Sequence, residues 1–509
     1  MKIGRVAFII AAIVLLEGCN MASVKKINVH RRDMSESEIY ENRGGFTAGA
    51  SVHDPSIFVE NGRYYIFGTH MTAAESLDLR KWKQLFEGVS EDNKLFSNLL
   101  NRDLGAFSFV GRNHENGYSV WAPDVIYNKE MKKYVMYFCT TSTYKKSSLC
   151  YAVADKITGP YKFMDRLLDS GFNNRTVYNT DFLKYHDKSE LKDYLTENDY
   201  DNQKWPNCID PCVLYDKDGK MWMVYGSWSG GIFILQLDEK TGLLKHPKEN
   251  KEEEIDAYYG KHLLGGGHNS IEGPYILYDD VSDYYYLFVS YGELNAKGGY
   301  QIRLYRSRNI DGPYEDMNNN TPGKVLEHSK FGLKMIGNYT FPSLTYTYMA
   351  SGHNSAFIDS DGKLYMVYHQ RFKNGRENHE PRVHQLFRNE DNWLVAAPFA
   401  TSGESLDEAG FAQEEVSGIY YLVDHGTDIS RKVHECEKIK VESDGTMDGA
   451  RKGKLVVKNG TPYVSMFTDD KEYKGVIVEM QDEAGNDCMC FSGAASNETI
   501  WAVRYFKKN

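Results

Sequence analysis

At 509 residues the chain is too long for one ordinary domain, and an aromatic share of 13%, dominated by 37 Tyr and 24 Phe, favours sheet over helix. A formal charge of −11 without a basic cluster argues against a nucleic-acid partner and permits a neutral polymer substrate.

The first element is an apolar run from Val6 to Leu16, preceded by Lys2 and Arg5 and followed by Glu17, Gly18 and Cys19. It is too short to span a bilayer as a stable helix and reads as a signal peptide. Its end resembles a bacterial lipobox, which makes Cys19 the lipidated first residue of the mature protein. The body is then expected in the bacterial cell envelope, periplasmic or at the cell surface, held to a membrane by acyl chains. Residues 20–44 are read as a linker.

From residue 45 the chain repeats itself. The stretches "HDPSIFVENGRYYIFGT" from His53, "APDVIYNKEMKKYVMYFCT" from Ala122, "CIDPCVLYDKDGKMWMVYGSW" from Cys208, "EGPYILYDDVSDYYYLFVSY" from Glu272 and "GHNSAFIDSDGKLYMVYHQ" from Gly352 share one plan. Each is a short apolar segment, a polar turn and a second, aromatic segment, the pattern of a β-hairpin. Asp54, Asp124, Asp210 and Glu272 open the first four, and His353 takes the same place in the fifth, at intervals of 70, 86, 62 and 81 residues. A unit of that size holds about four strands, and units that cannot bury both faces alone stack into a propeller. The fold expected is all-β: a five-bladed β-propeller over residues 45–400, then a small β-barrel or β-sandwich over 401–509. In a propeller, equivalent strand starts gather at one mouth of the central channel. That placement explains carboxylates at the starts of buried strands better than folding does.

Residues 188–205 and 245–262 are the best local candidates for helix and are read as solvated insertions between blades. After residue 400, segments such as "GIYYLVDHG", "GKLVVKNG" and "IWAVRYF" alternate as short strands. Nothing in this part looks catalytic. Beyond Cys19 the cysteines are Cys139, Cys150, Cys208, Cys212, Cys436, Cys488 and Cys490, an odd number that cannot all pair within the chain. Cys208 and Cys212 flank Asp210, but no second ligand pair accompanies them, so packed free thiols are expected rather than a metal site.

Hydrolysing a glycosidic bond takes one carboxylic acid to protonate the leaving oxygen and one carboxylate to activate water or attack the sugar. Asp54, Asp210 and Glu272 supply such a set. The competing reading is that these acids only cap turns, and it stays open for Asp124 above all.

The segments "HDPSI", "NCIDPCVLYDKDG", "YGSWSGGI", "IEGPY" and "GHNSAF" resemble, in order and spacing, the signature segments of family 43 glycoside hydrolases. Within it the chain is most similar to endo-1,5-α-L-arabinanases, five-bladed propellers that cut arabinan side chains of pectin. The resemblance covers about residues 45–400. It implies an inverting mechanism with Asp54 as general base, Glu272 as general acid and Asp210 tuning that acid, which requires Glu272 to keep its proton near neutral pH. It also implies substrate contacts at Asn207, Ser227, Trp228 and Ser229, and a hydrated Ca²⁺ on the propeller axis held by His353. Trp121 and Asp124 are further substrate-binding candidates; Trp121 and Trp228 offer flat faces to a furanose ring or pack within a blade. "GSWSGG" departs from the aromatic pair of many relatives, which leaves subsite detail open. His268 is expected to be a loop residue. Two other readings remain: an exo-acting α-L-arabinofuranosidase or β-xylosidase, and a surface glycan-binding propeller without catalysis.

Overall fold

The computed structural model describes residues 31–101, 105–323 and 327–507. The first hairpin shows how sequence sets the plan. Strand Ser56–Glu60 pairs with Arg63–Gly68 through Asn61 and Gly62, both left-handed at φ 52° and 71°. An Asn-Gly pair tolerates such a turn, and its twist matches that of the flanking strands. Two further antiparallel strands, Thr72–Ser76 and Trp82–Phe86, complete a four-stranded sheet. Ser119–Ser170 and Tyr348–Ala396 form four-stranded sheets of the same order, Cys212–Leu264 carries a six-stranded one, and Ile271–Ile336 opens a twelve-stranded one.

Each sheet packs on the next because its central strands are apolar on both faces. Met136 and Phe138 join the first sheet's Phe67, whereas Tyr137 and Cys139, pointing the other way, join Met223 and Tyr225 of the third. Val224 and Ile234 then meet Leu287 and Val289. Val367 and Tyr365 return to Ile57 and Ile66 of the first sheet, which closes a propeller-like ring. Every large side chain buried in these seams contributes about 1.5–3 kcal/mol.

The C-terminal part is barrel-like. Its strands run in sequence order from Gly418–Asp424 to Glu498–Phe506, and the last pairs with both the first and Asp487–Ala495, so the sheet closes on itself. It is fused to the propeller-like part by a parallel pairing of Lys334 with Glu498. Among the described residues no helix is long and apolar enough to cross a membrane. Cys19 and the signal segment lie outside the described residues.

The two best local candidates for helix are not α-helical. Lys188–Asp193 is a short 3-10 helix, Leu195–Thr196 pairs with Asp199–Tyr200, and Ile255–Asp256 with Gly260–Leu264 extends the third sheet. Leu191, Tyr194, Tyr200, Tyr258 and Tyr259 are buried there, so tertiary burial overrides the helical propensity of the charged residues between them. The described end of the expected linker is docked: Glu36–Glu41 is a helix with a Ser35–Glu38 capping box, and Ile39 is fully buried against the core. The seven described cysteines are free, and Cys208 and Cys212 are buried thiols as expected.

Candidate active site

Five residues at one end of the sheets share a left-handed backbone: Asp54, Ala122, Asp210, Gly273 and His353, with φ between 38° and 56°. They are the true equivalents. Register shifts follow or flank three of them, between Trp121 and Asp124, Glu272 and Tyr275, and Gly352 and Ser355. The equivalence drawn from sequence is thereby corrected for two residues: Glu272 stands one residue before its sheet's left-handed position, and Asp124 two residues after. Because strand side chains alternate faces, the offset of one turns Glu272 to the other face, whereas the offset of two, across the register shift, moves Asp124 along its strand.

Asp54, Asp124, Asp210, His353 and Asn354 line a narrow axial cavity of about 20 Å³. Asp124 accepts hydrogen bonds from the Ser56 hydroxyl and, at 2.5 Å, from the Val213 N–H. Burial pushes its carboxyl up to about 6. Asp124, expected against substrate, is a bonded part of the channel wall and does not line the cleft described below.

Asp54 lies among imidazoles. Its Oδ1 is 2.8 Å from His53 Nδ1, 3.1 Å from His353 Nδ1 and 3.7 Å from His369 Nδ1, and Oδ2 accepts the Thr69 hydroxyl at 2.5 Å. Burial alone would push Asp54 up, but His353, His53 and His369 together hold it well below the usual carboxylate range. Arg371 Nη2, which can only donate, lies 3.1 Å from His53 Nε2, so the proton of a neutral His53 sits on Nδ1, toward Asp54. The metal-ligating atoms of His53, Asp54 and His369 fall within 4.8 Å of one another.

A cation at His353 fits the donor set. With Nδ1 beside Asp54, the ring keeps Nε2 for a ligand, the orientation a carboxylate gives a metal-binding histidine. Asn354 Oδ1, on the same cavity, has no hydrogen-bond partner among the described residues.

Asp210 accepts the Gly273 N–H at 3.2 Å. Burial first, then the charges of Glu272 and Asp54, push its carboxyl well above the usual range. Its surroundings thus press Asp210 itself toward the protonated form, which the sequence argument did not expect. Glu272 is clamped: Oε2 accepts Trp228 Nε1–H at 2.7 Å and the Ser227 hydroxyl at 3.2 Å, and Oε1 accepts the Tyr300 hydroxyl at 2.6 Å. With both lone pairs of Oε2 engaged, the second lone pair of Oε1 is where a transferable proton can sit.

Glu272 lines a cleft of about 480 Å³ together with Trp121, Asn207, Ser227 and Trp228. Ser229 does not; it is fully buried behind the wall, its carbonyl accepting the His268 N–H at 3.1 Å. Asn207 is spent on structure, donating to the Tyr144 carbonyl at 2.9 Å and accepting from the Ser170 hydroxyl at 3.2 Å. Trp228 does more than offer a face, since its indole N–H holds Glu272. His268 also lines the cleft, its ring centroid 5.6 Å from that of Trp228 and 5.8 Å from that of exposed Tyr144. Tyr300 and Tyr144 escape sequence reasoning because neither belongs to a motif; the only signal for Tyr300 is the Gly298–Gly299 pair ahead of a strand. A second cavity, of about 410 Å³ beside Trp205 and His262, contains none of the expected site residues.

The family description "Glycosyl hydrolases family 43" matches residues 184–394, and "C-terminal lipocalin-like domain" matches 398–502. The chain is 38% identical over 470 residues to extracellular endo-α-(1→5)-L-arabinanase 2 of Bacillus subtilis (strain 168), covering 89% of this chain and 93% of that protein. The crystal structure of an endo-1,5-α-L-arabinanase from Thermotoga petrophila superposes with a TM-score of 0.77 at 36% identity, over 91% of this chain and 100% of the other. An extracellular exo-α-(1→5)-L-arabinofuranosidase of Cellvibrio japonicus is 27% identical over 62% of this chain and 78% of its own length.

Proposed function

This chain belongs to glycosyl hydrolases family 43, and we propose that it cuts α-1,5-linked L-arabinan internally, with inversion at the anomeric carbon. The observation that carries the assignment is the clamp on Glu272 at the cleft, beside an Asp210 that feels the charges of both Glu272 and Asp54. In this reading Glu272 protonates the leaving oxygen, and Asp54, kept anionic by its imidazoles, takes a proton from the attacking water. Asp210, when it gives up its own proton, favours the protonated form of Glu272, and it orients the sugar. Trp121 and Trp228 border the sugar subsites, with Asn207 and Ser227 behind them.

Five blades are the finer reading of the ring, supported by the five left-handed strand starts. His353, with Asn354 nearby, would hold a hydrated Ca²⁺, which supplies positive charge near the carboxylates. A lipid anchor at Cys19 and a place on the cell envelope rest on the sequence of the first 19 residues.

The test is a product profile on linear arabinan beside an aryl arabinofuranoside. Early release of oligosaccharides from the polymer supports internal cutting. Arabinose as the sole early product would move the assignment to exo action, and no hydrolysis of either would leave only glycan binding.

A further inference from the structure

Tyr300 is 1% exposed, and its hydroxyl donates to Glu272 Oε1 at 2.6 Å. The ring is held in a slot. It stacks on His369, centroids 5.7 Å apart at 17°, and a Cβ built on Gly352 would lie 2.1 Å from its Cδ1 and Cε1. Only a glycine at 352 lets the ring pass to the acid. Tyr300 is fixed along the chain by its own sheet, where Gln301 pairs with Tyr291 and Gly299 bridges Glu293, and by the barrel-like part.

Residues 427–430 lie between its strands Gly418–Asp424 and Glu437–Val441. The Ser430 carbonyl would be 2.5 Å from a Cβ on Gly299, whose φ is +76°. Gln301 Nε2 donates to the Asp428 carbonyl at 3.0 Å, and Arg303 Nη2 to that of Thr427 at 2.5 Å. Lys334 Nζ donates to the Asp428 carbonyl at 2.9 Å, and Ile429 packs on the core of the fourth sheet. Residues 299, 301 and 303, on either side of Tyr300 and just beyond it, are thus tied to one loop of the other part.

We propose that the loop 427–430 of the C-terminal part braces Tyr300 against the catalytic acid, so that Tyr300 is a positioning residue for Glu272 and the C-terminal part belongs to the support of the active site. The inference rests on Glu272 being the acid of the proposed reaction. When the acid gives up its proton, Oε1 gains negative charge, and a donor held at 2.6 Å stabilises that charge without reorganisation.

The experiment compares Tyr300→Phe, Gly299→Ala and Gln301→Glu in the full chain; the last keeps an acceptor for Arg303 Nε while removing the donor to Asp428. Each folded variant should lose about tenfold or more in kcat/KM on arabinan and much less on a dinitrophenyl arabino-oligosaccharide, whose leaving group needs little protonation. Gly299→Ala added to Tyr300→Phe should cost little more than Tyr300→Phe alone, because both act through one hydrogen bond. Equal losses on both substrates, or losses that add, would overturn the proposal. A crystal structure of Gly299→Ala, or of Gln301→Glu if the first does not fold, decides the brace independently of substrate: Tyr300 still bonded to Glu272 refutes it, a displaced Tyr300 supports it. Absence of arabinan hydrolysis by the unaltered protein refutes the functional reading instead and leaves that structural result standing.

Discussion

Trp228→Phe removes one atom group from the clamp on Glu272 while keeping an aromatic ring at the cleft. The lost bond is an indole N–H donating to Oε2 at 2.7 Å. In the proposed reaction Glu272 passes from neutral acid to anion, so this bond would strengthen in the transition state and count toward the rate. A hydrogen bond to an ionised group contributes about 1.5–3 kcal/mol, which at tenfold per 1.4 kcal/mol is about 10- to 150-fold in kcat/KM. The assay is steady-state kinetics on linear arabinan and on a dinitrophenyl arabino-oligosaccharide. Cleavage of the second develops little charge on Glu272, so its rate should fall less than about threefold. If both substrates lose equally, Trp228 serves packing or sugar stacking, and the argument from the clamp is wrong.

Asp124, buried and pushed up to about 6, keeps a proton in the folded state that the unfolded chain loses near pH 4. Its contribution to stability is therefore complete below about pH 4 and is lost as pH rises through about 6, a shift of about two units or about 3 kcal/mol. Urea unfolding of the protein and of Asp124→Asn at pH 4 and pH 7 should show a difference between them that changes by about that amount; a constant difference contradicts it. For His353, a chelator should lower activity or the unfolding midpoint, and His353→Ala should reproduce the effect. Metal-free protein by elemental analysis with unchanged activity would return His353 to a hydrogen-bonding role. Cys19→Ala should move the protein to the soluble fraction with activity intact, and palmitate labelling that persists in that variant would refute lipidation at this residue.

The repeating hairpins were legible because turn chemistry such as Asn61–Gly62 and the aromatic second strands are local signals. Register was not. Whether Asp124 or Ala122 is the counterpart of Asp54 depends on an irregularity between Trp121 and Asp124, and the local signal for it is the proline that follows Asp54, Ala122, Asp210 and Gly273 alike. The same holds for Glu272, displaced by one residue from the position that its sheet-mates occupy. Asp54 was legible as an acid and His353 as its neighbour at the same mouth, but not that His53 turns its ring onto Asp54 or that His369 joins them once the ring closes. The segments 188–205 and 245–262, the best local candidates for helix, are not α-helical for another reason: their buried aromatic residues follow contacts with a neighbouring sheet, not a helical period.

The left-handed strand starts amount to a rotationally repeated socket with spare capacity. Asp54, Asp210 and His353 already present side chains there, and Gly273 is closed, since a Cβ at that position would lie 3.1 Å from the His353 ring. Ala122 is different. It already bears a Cβ, and its N–H donates to Thr69 at 3.0 Å, a backbone bond that survives replacement. Left-handed alanine costs about 1–2 kcal/mol, and Asp or Asn tolerates that conformation better. Ala122→Asp would therefore be easy on the backbone, and its cost would be electrostatic: a further buried carboxylate on a cavity of about 20 Å³ that Asp54, Asp124 and Asp210 already line.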